Sequence, residues 1–133
     1  MVATLRNPDV LANLATKYHD TLLLLKLDVT QQEEVTGAFS AARERFGRID
    51  VVLSNAGHGI VSEIEGTNEK NAHDLFEVNF WGASYVCRAA VKFFRDENWP
   101  MGGRLIQVSS VGGIKSSPGN AWYCASWVLL VSF

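Results

Sequence analysis

Ser110 closes an apolar run, and Tyr123 follows it by 13 residues in the first turn of a predicted helix. Each carries a hydroxyl that both donates and accepts hydrogen bonds. A third polar residue, Asn79, falls on the stripe Leu75, Asn79, Gly82, Val86, Ala90 and Phe93. Steps of three and four are the spacing of a helix face turned to a core, so the Asn79 amide is expected to be buried. Left unpaired, a buried amide costs roughly 1–3 kcal/mol, so it must have partners. Metal and thiolate chemistry find no support. His19, His58 and His73 are scattered without metal-ligand spacing, and Cys87 and Cys124 form no CxxC pair. That usage excludes a disulfide framework and a thiolate zinc site, and it fits a reducing cytosol.

The elements that must position these residues alternate. Val2–Leu5 forms a short strand, and Asn7-Pro8 supplies an N-cap and a first-turn proline for a helix reaching about Tyr18. Val10, Leu11 and Leu14 are expected on one face of it. The continuous apolar run Leu22–Leu27 marks a strand of a parallel sheet, buried on both faces. Thr30-Gln-Gln-Glu33 has the pattern of a capping box for a helix with Val35, Ala38, Phe39, Ala42 and Phe46 on one side, closed by Gly47. Ile49–Ser54 is the next strand and ends in Asn55-Ala-Gly57. A loop from His58 to Gly66 precedes a long helix from about Thr67 to Arg95. Arg104–Ser109 is the fourth strand, and a helix begins near Ala121. This β-α-β-α-β-α-β-α order predicts an α/β fold with a parallel sheet and right-handed crossovers. In such a sheet the ligand site lies at the carboxyl ends of the strands, here Leu5-Arg6, Asp28, Asn55–Gly57 and Ser109-Ser110.

Composition narrows the function further. With 12 Lys and Arg against 14 Asp and Glu, the chain has a net charge of −2 and no basic footprint for nucleic acid. Its longest apolar runs fall far short of the roughly 20 residues that cross a bilayer. A single cytoplasmic domain, with neither nucleic acid nor membrane as partner, is the expectation for 133 residues.

At the residues singled out above, the chain resembles the short-chain dehydrogenase/reductase family. The match runs through Leu5-Arg6, Asp28-Val-Thr30, Asn55-Ala-Gly57, Val78-Asn79, Val108-Ser-Ser110 and Tyr123-Cys-Ala-Ser126, from the first residue to about Ser126. The resemblance implies an oxidoreductase that moves hydride between a nicotinamide cofactor and a ketone or secondary alcohol. It assigns Tyr123 to proton exchange with the substrate oxygen, Ser110 to holding and polarising that oxygen, and Asn79 to a proton relay that depends on a kinked helix. It places Asn55, Ala56 and Gly57 near the adenosine side and has Asp28 hydrogen-bond the adenine amine. An acidic residue ending the first visible strand would accept bonds from the ribose hydroxyls of NAD. Leu5 cannot, whereas Arg6 beside it can pair with a 2′-phosphate in a bidentate fork, so NADP(H) is expected over NAD(H). Ile60, Val61 and Trp122 point to a hydrophobic small-molecule substrate. Oligomerisation, with itself or with a homologue, fits the family.

Two departures accompany the resemblance. No GxGxxG occurs, and the chain begins at what corresponds to the second strand of the order 3-2-1-4-5-6. The expected fold is therefore a partial doubly wound, Rossmann-like parallel sheet lacking its first central strand and its last strands. Val2–Leu5 and Ile49–Ser54 are then expected to present unpaired inner edges. The second departure is Trp127. The family pattern is Tyr-x-x-x-Lys, whose lysine binds the nicotinamide ribose and eases loss of the tyrosine proton. Residues 1–126 are accordingly expected to form a partial NAD(P)-binding domain, and 127–133 an apolar tail outside the pattern. The chain as written is expected to be inactive. The alternative is a non-enzymatic fragment that pairs with an intact homologue.

Overall fold

The computed structural model describes residues 1–132; Phe133, the end of the expected apolar tail, lies outside the described residues. Strand β1 (Val2–Leu5) leads into a 3₁₀ turn at Pro8–Leu11 and then helix α1 (Ala12–Lys17). The Asn7 side chain accepts from the Asp9 backbone N–H at 3.2 Å, as an N-cap should. The expected apolar face of this segment is corrected, because Val10 is 73% exposed and Leu14 44%. With only six α-helical residues, α1 is too short to turn a full stripe inward.

Strand β2 (Leu23–Lys26) precedes α2 (Gln32–Phe46), and β3 (Val51–Ser54) follows. The capping box expected at Thr30 is not formed. Gln31 holds the cap position without a side-chain bond. Glu34 instead reaches back to accept from the Asp28 N–H at 2.6 Å, which fastens the start of α2 to the end of β2. Gly47 does close α2, at a left-handed φ of 74° that favours glycine. Val35 and Ala42 are buried as the helical spacing predicts, while Phe46 lies at the surface beneath the Arg45 guanidinium.

The long helix is real but not uniform. It runs as α3 (Glu69–Phe76), a π-helical segment (Glu77–Gly82) and α4 (Ala83–Asp96), before β4 (Arg104–Gln107). Single π turns inside α-helices mark local departures that often serve a site, and this one contains Asn79. A 3₁₀ turn at Val111–Gly113 then leads to α5 (Ala121–Val131), which continues unbroken through Ser126 and Trp127.

The strands form two parallel pairs, β1 with β2 and β3 with β4. No ladder joins β1 to β3 among the described residues, in keeping with the strand order expected from the sequence. One face of the β3–β4 pair is covered by α4. There Val52 and Leu105 pack on Ala90, Phe93 and Phe94, and the Cys87 thiol donates to the Gln107 side chain at 3.0 Å. Burial pushes that thiol up from its ordinary range. The opposite face carries Val51, Leu53 and Ile106, which are 50%, 59% and 50% exposed.

At the end of the π segment the backbone of Gly82 lies against Val29. A Cβ at position 82 would stand 2.6 Å from Val29 Cγ2. Overpacking of this kind typically costs about 1–3 kcal/mol. Gly82→Ala is therefore expected to lower unfolding stability by that order in a urea titration, with α-helix content retained.

Candidate active site

The carboxyl end of β4 and the start of α5 bring Ser110 and Tyr123 together. Tyr123 donates its phenolic O–H to Ser110 Oγ at 2.7 Å, and the Gly112 backbone N–H donates to the same oxygen at 3.1 Å. A serine oxygen has two lone pairs and one hydrogen. With both lone pairs engaged, the Ser110 hydroxyl hydrogen is left to donate to a third group. Gly112 makes this close approach possible, since a Cβ there would lie 3.0 Å from the Tyr123 ring. The result is a two-hydroxyl pair held by the backbone of the β4–α5 loop.

Asn79 is fully buried and fully paired, as its place on the helical stripe predicts. Its Oδ1 accepts from the His58 backbone N–H at 2.9 Å, and its Nδ2 donates to the His58 carbonyl at 2.9 Å and to Ser126 Oγ at 3.0 Å. Ser126 Oγ in turn donates to the Tyr123 carbonyl at 2.8 Å. One amide thus connects the π turn, the loop leaving β3 and the second turn of α5. Ser126 belongs to the matched segment Tyr123–Ser126, but the sequence reading gives it no role of its own. The signal available was its position three residues after Tyr123, on the inward side of a helix.

Asn55 and Gly57, with His58, Tyr123 and Trp127, line a cleft of about 420 Å³. Gly57 is in close contact with its surroundings: a Cβ would stand 2.9 Å from Trp127 Cη2 and 3.3 Å from Asn79 Oδ1. Ala56 is exposed beside it. His58 and Asn120 line the cleft as well, although neither stood out in the sequence. The two loops beside the cleft are tied by a bond from the Ser62 N–H to the Gly119 carbonyl at 2.8 Å. Val61, Ile64, Val111 and Ile114 project from these loops into solvent.

Arg6 and Asp28 gather at the ends of the other strand pair. Asp28 Oδ1 accepts from the Thr30 N–H at 3.0 Å and from Thr30 Oγ1 at 2.9 Å. The backbone bond from Thr30 is the main influence holding the Asp28 carboxyl below its ordinary value. The Thr30 hydroxyl and the charges of Arg6 and Lys26 add to it, and burial opposes it. A depressed carboxyl contributes stability above its unfolded value and loses it as pH falls through the folded one. Arg6 is exposed and Leu5 half-buried.

The described residues meet the needs of a dinucleotide unevenly. Arg6 suits an adenosine 2′-phosphate, and Asp28 Oδ2, which accepts none of the hydrogen bonds at this carboxylate, suits the adenine amine as an acceptor. At position 127 the fit fails: a neutral indole occupies the site, and no lysine or arginine lines the cleft among the described residues.

A family model described as short chain dehydrogenase matches residues 1–133. An uncharacterized oxidoreductase of Schizosaccharomyces pombe is 42% identical over 126 residues, covering 95% of this chain and 41% of that protein. The crystal structure of a short-chain dehydrogenase from Streptomyces avermitilis superposes with a TM-score of 0.87 at 31% identity, over 98% of this chain and 47% of that one. The X-ray structure of an alcohol dehydrogenase from Thermococcus sibiricus, complexed with 5-hydroxy-NADP, gives 0.87 at 25% identity, over 98% and 56%. The chain spans about half the length of the proteins it matches.

Two tests follow from this geometry. Asn79→Ala leaves the His58 backbone pair and Ser126 without their partner, and a net loss of roughly 1–3 kcal/mol is expected in chemical denaturation. Thr30→Val removes one of the bonds to Asp28, so an NMR titration should find the Asp28 carboxyl closer to its ordinary value. Stability of the variant should then decline from a higher pH on acidification than that of the parent.

Proposed function

Because the chain belongs to the short-chain dehydrogenase family, we propose that the whole protein is an NADP(H)-dependent oxidoreductase interconverting an apolar ketone and its secondary alcohol. The observation that carries this reading is the bond from Tyr123 to Ser110 Oγ, 2.7 Å long, beside the cleft. Such a pair is suited to a carbonyl oxygen. The Ser110 hydroxyl, with both lone pairs engaged, donates to that oxygen and stabilises the charge that grows on it. The Tyr123 hydroxyl turns its one hydrogen from Ser110 Oγ to the same point, gives the proton that turns the oxygen into an alcohol, and takes it back in the reverse direction. Asn79 acts at one remove, fixing the helix and loop on which Tyr123 and the cleft wall depend.

Arg6 supports the choice of NADP(H), since its guanidinium suits a 2′-phosphate and Leu5 offers no acceptor to a ribose diol. The exposed Val61, Ile64, Val111 and Ile114 beside the cleft support an apolar substrate. We also propose that the chain with Trp127 in place does not turn over. Proton donation by Tyr123 leaves a phenolate, and no cation stands one helical turn away to balance it.

A second reading, a non-enzymatic fragment that pairs with an intact homologue, draws support from the exposed Val51, Leu53 and Ile106 on one face of β3–β4. Contiguous exposed apolar residues mark sites of association.

NADPH oxidation with a panel of cyclic apolar ketones tests the first reading. Trp127→Lys is expected to gain turnover, and Tyr123→Phe in that background to lose about 10²–10⁴-fold in kcat/KM. Turnover that survives Tyr123→Phe unchanged would remove that residue from the chemistry. A stable complex with a homologue, broken by Leu53→Lys, with no turnover in any variant, would favour the second reading.

A further inference from the structure

We infer that Trp127 closes the nicotinamide end of the site, so that the chain recognises the adenosine 2′-phosphate half of the cofactor and gains nothing from the other half. This rests on the NADP(H) reading above. Trp127 lies four residues after Tyr123 on α5, hence on the same helical face. The two rings meet edge to face, with centroids 6.0 Å apart and planes at 77°. On its far side the indole touches Gly57, where a Cβ would stand 2.9 Å from Cη2 and 3.0 Å from Cζ2. The ring therefore fills the space between α5 and the loop leaving β3. In the family pattern that space belongs to a lysine and to the ribose it binds.

Packing makes the closure persistent and not a matter of rotamer. Trp127 is only 5% exposed and packs on Ala83 and Leu130, so swinging it outward would bring a large aromatic into water and leave a void behind it. Its one donor, Nε1–H, is buried without a hydrogen-bond partner, so the indole does not present even that group to a ligand in the cleft. And Gly57 itself is already in contact with the ring, so the β3 loop has no slack on that side. The adenosine end, at Arg6 and Asp28, is free of this obstacle; Gly57, expected on that side from the resemblance, stands beside Tyr123 and Trp127 instead. Arg6 is exposed, and Asp28 keeps one carboxylate oxygen uncommitted.

The consequence is that the nicotinamide half adds no affinity, which can be read without any turnover. Titration calorimetry of the full chain with 2′,5′-ADP and with NADP⁺ is expected to give dissociation constants within about threefold of each other. In Trp127→Ala, which opens the space, NADP⁺ should gain about tenfold or more while 2′,5′-ADP is unchanged. NADP⁺ binding about tenfold tighter than 2′,5′-ADP to the unmodified chain overturns the inference and leaves the NADP(H) reading standing. Binding of neither ligand overturns the NADP(H) reading and the inference with it. The comparison on the unmodified chain decides the matter even if Trp127→Ala fails to fold, which circular dichroism would reveal.

Discussion

Everything at the carboxyl ends of β3 and β4 depends on the burial of one side-chain amide. Asn79 sits where the helix between the two strands widens into a π turn, and it is wholly enclosed. Enclosure obliges it to satisfy its donors and its acceptor, and the partners it finds lie on two other elements. Its bonds to both backbone groups of His58 hold the loop leaving β3 much as a neighbouring strand would. The bond to Ser126, passed on to the Tyr123 carbonyl, sets the position of α5. Removing any one partner strands a polar atom in the interior, and that penalty exceeds what a single exposed hydrogen bond contributes. The geometry of Ser110 and Tyr123 is therefore downstream of a buried polar network that never touches them with its own amide.

Much of this was legible in the residue types. Asn79 stood out because a polar residue interrupted an apolar stripe of steps three and four, and burial with partners was the only inexpensive outcome. Ser110 and Tyr123 stood out because strand ends and helix starts converge in an α/β fold. What the sequence left obscure was decided by competition between local alternatives. Thr30 and Glu33 have the spacing of a capping box, yet Thr30 turns back to Asp28 and Glu34, one residue further on, reaches the Asp28 N–H. A carboxylate at the end of β2 offers Thr30 a charged acceptor, which a helix N-terminus does not, and bonds to charged groups are the stronger. Val10 and Leu14 followed helical spacing as well, but α1 is too short for that spacing to reach a core. Ser126 gave little signal because small polar residues are common in any helix. Its role comes entirely from Asn79 opposite.

The two strand pairs show a different kind of constraint. A parallel strand buried on both faces is apolar on both, and β3 and β4 have that composition: Val52 and Leu105 face α4, while Val51, Leu53 and Ile106 face away from it. The residues on the outer face are as apolar as those on the inner one. Their composition is that of a sheet with two covering layers, of which the described residues supply one.

The packing around Trp127 separates two requirements that the family normally satisfies with the same helix. Positioning Tyr123 needs an inward-facing α5 anchored to its surroundings, and a buried indole serves that end well: it fills the gap beside Gly57, touches the Tyr123 ring and joins Ala83 and Leu130. Binding a ribose and balancing a phenolate need a charge with hydrogen-bond donors at the same position, which an enclosed indole lacks. The bonds from Asn79 to Ser126 and from Ser126 to the Tyr123 carbonyl hold the helix alongside the packing of the indole. The Ser110–Tyr123 bond and the enclosed indole are thus two distinct features of α5, the first held by hydrogen bonds and the second by packing.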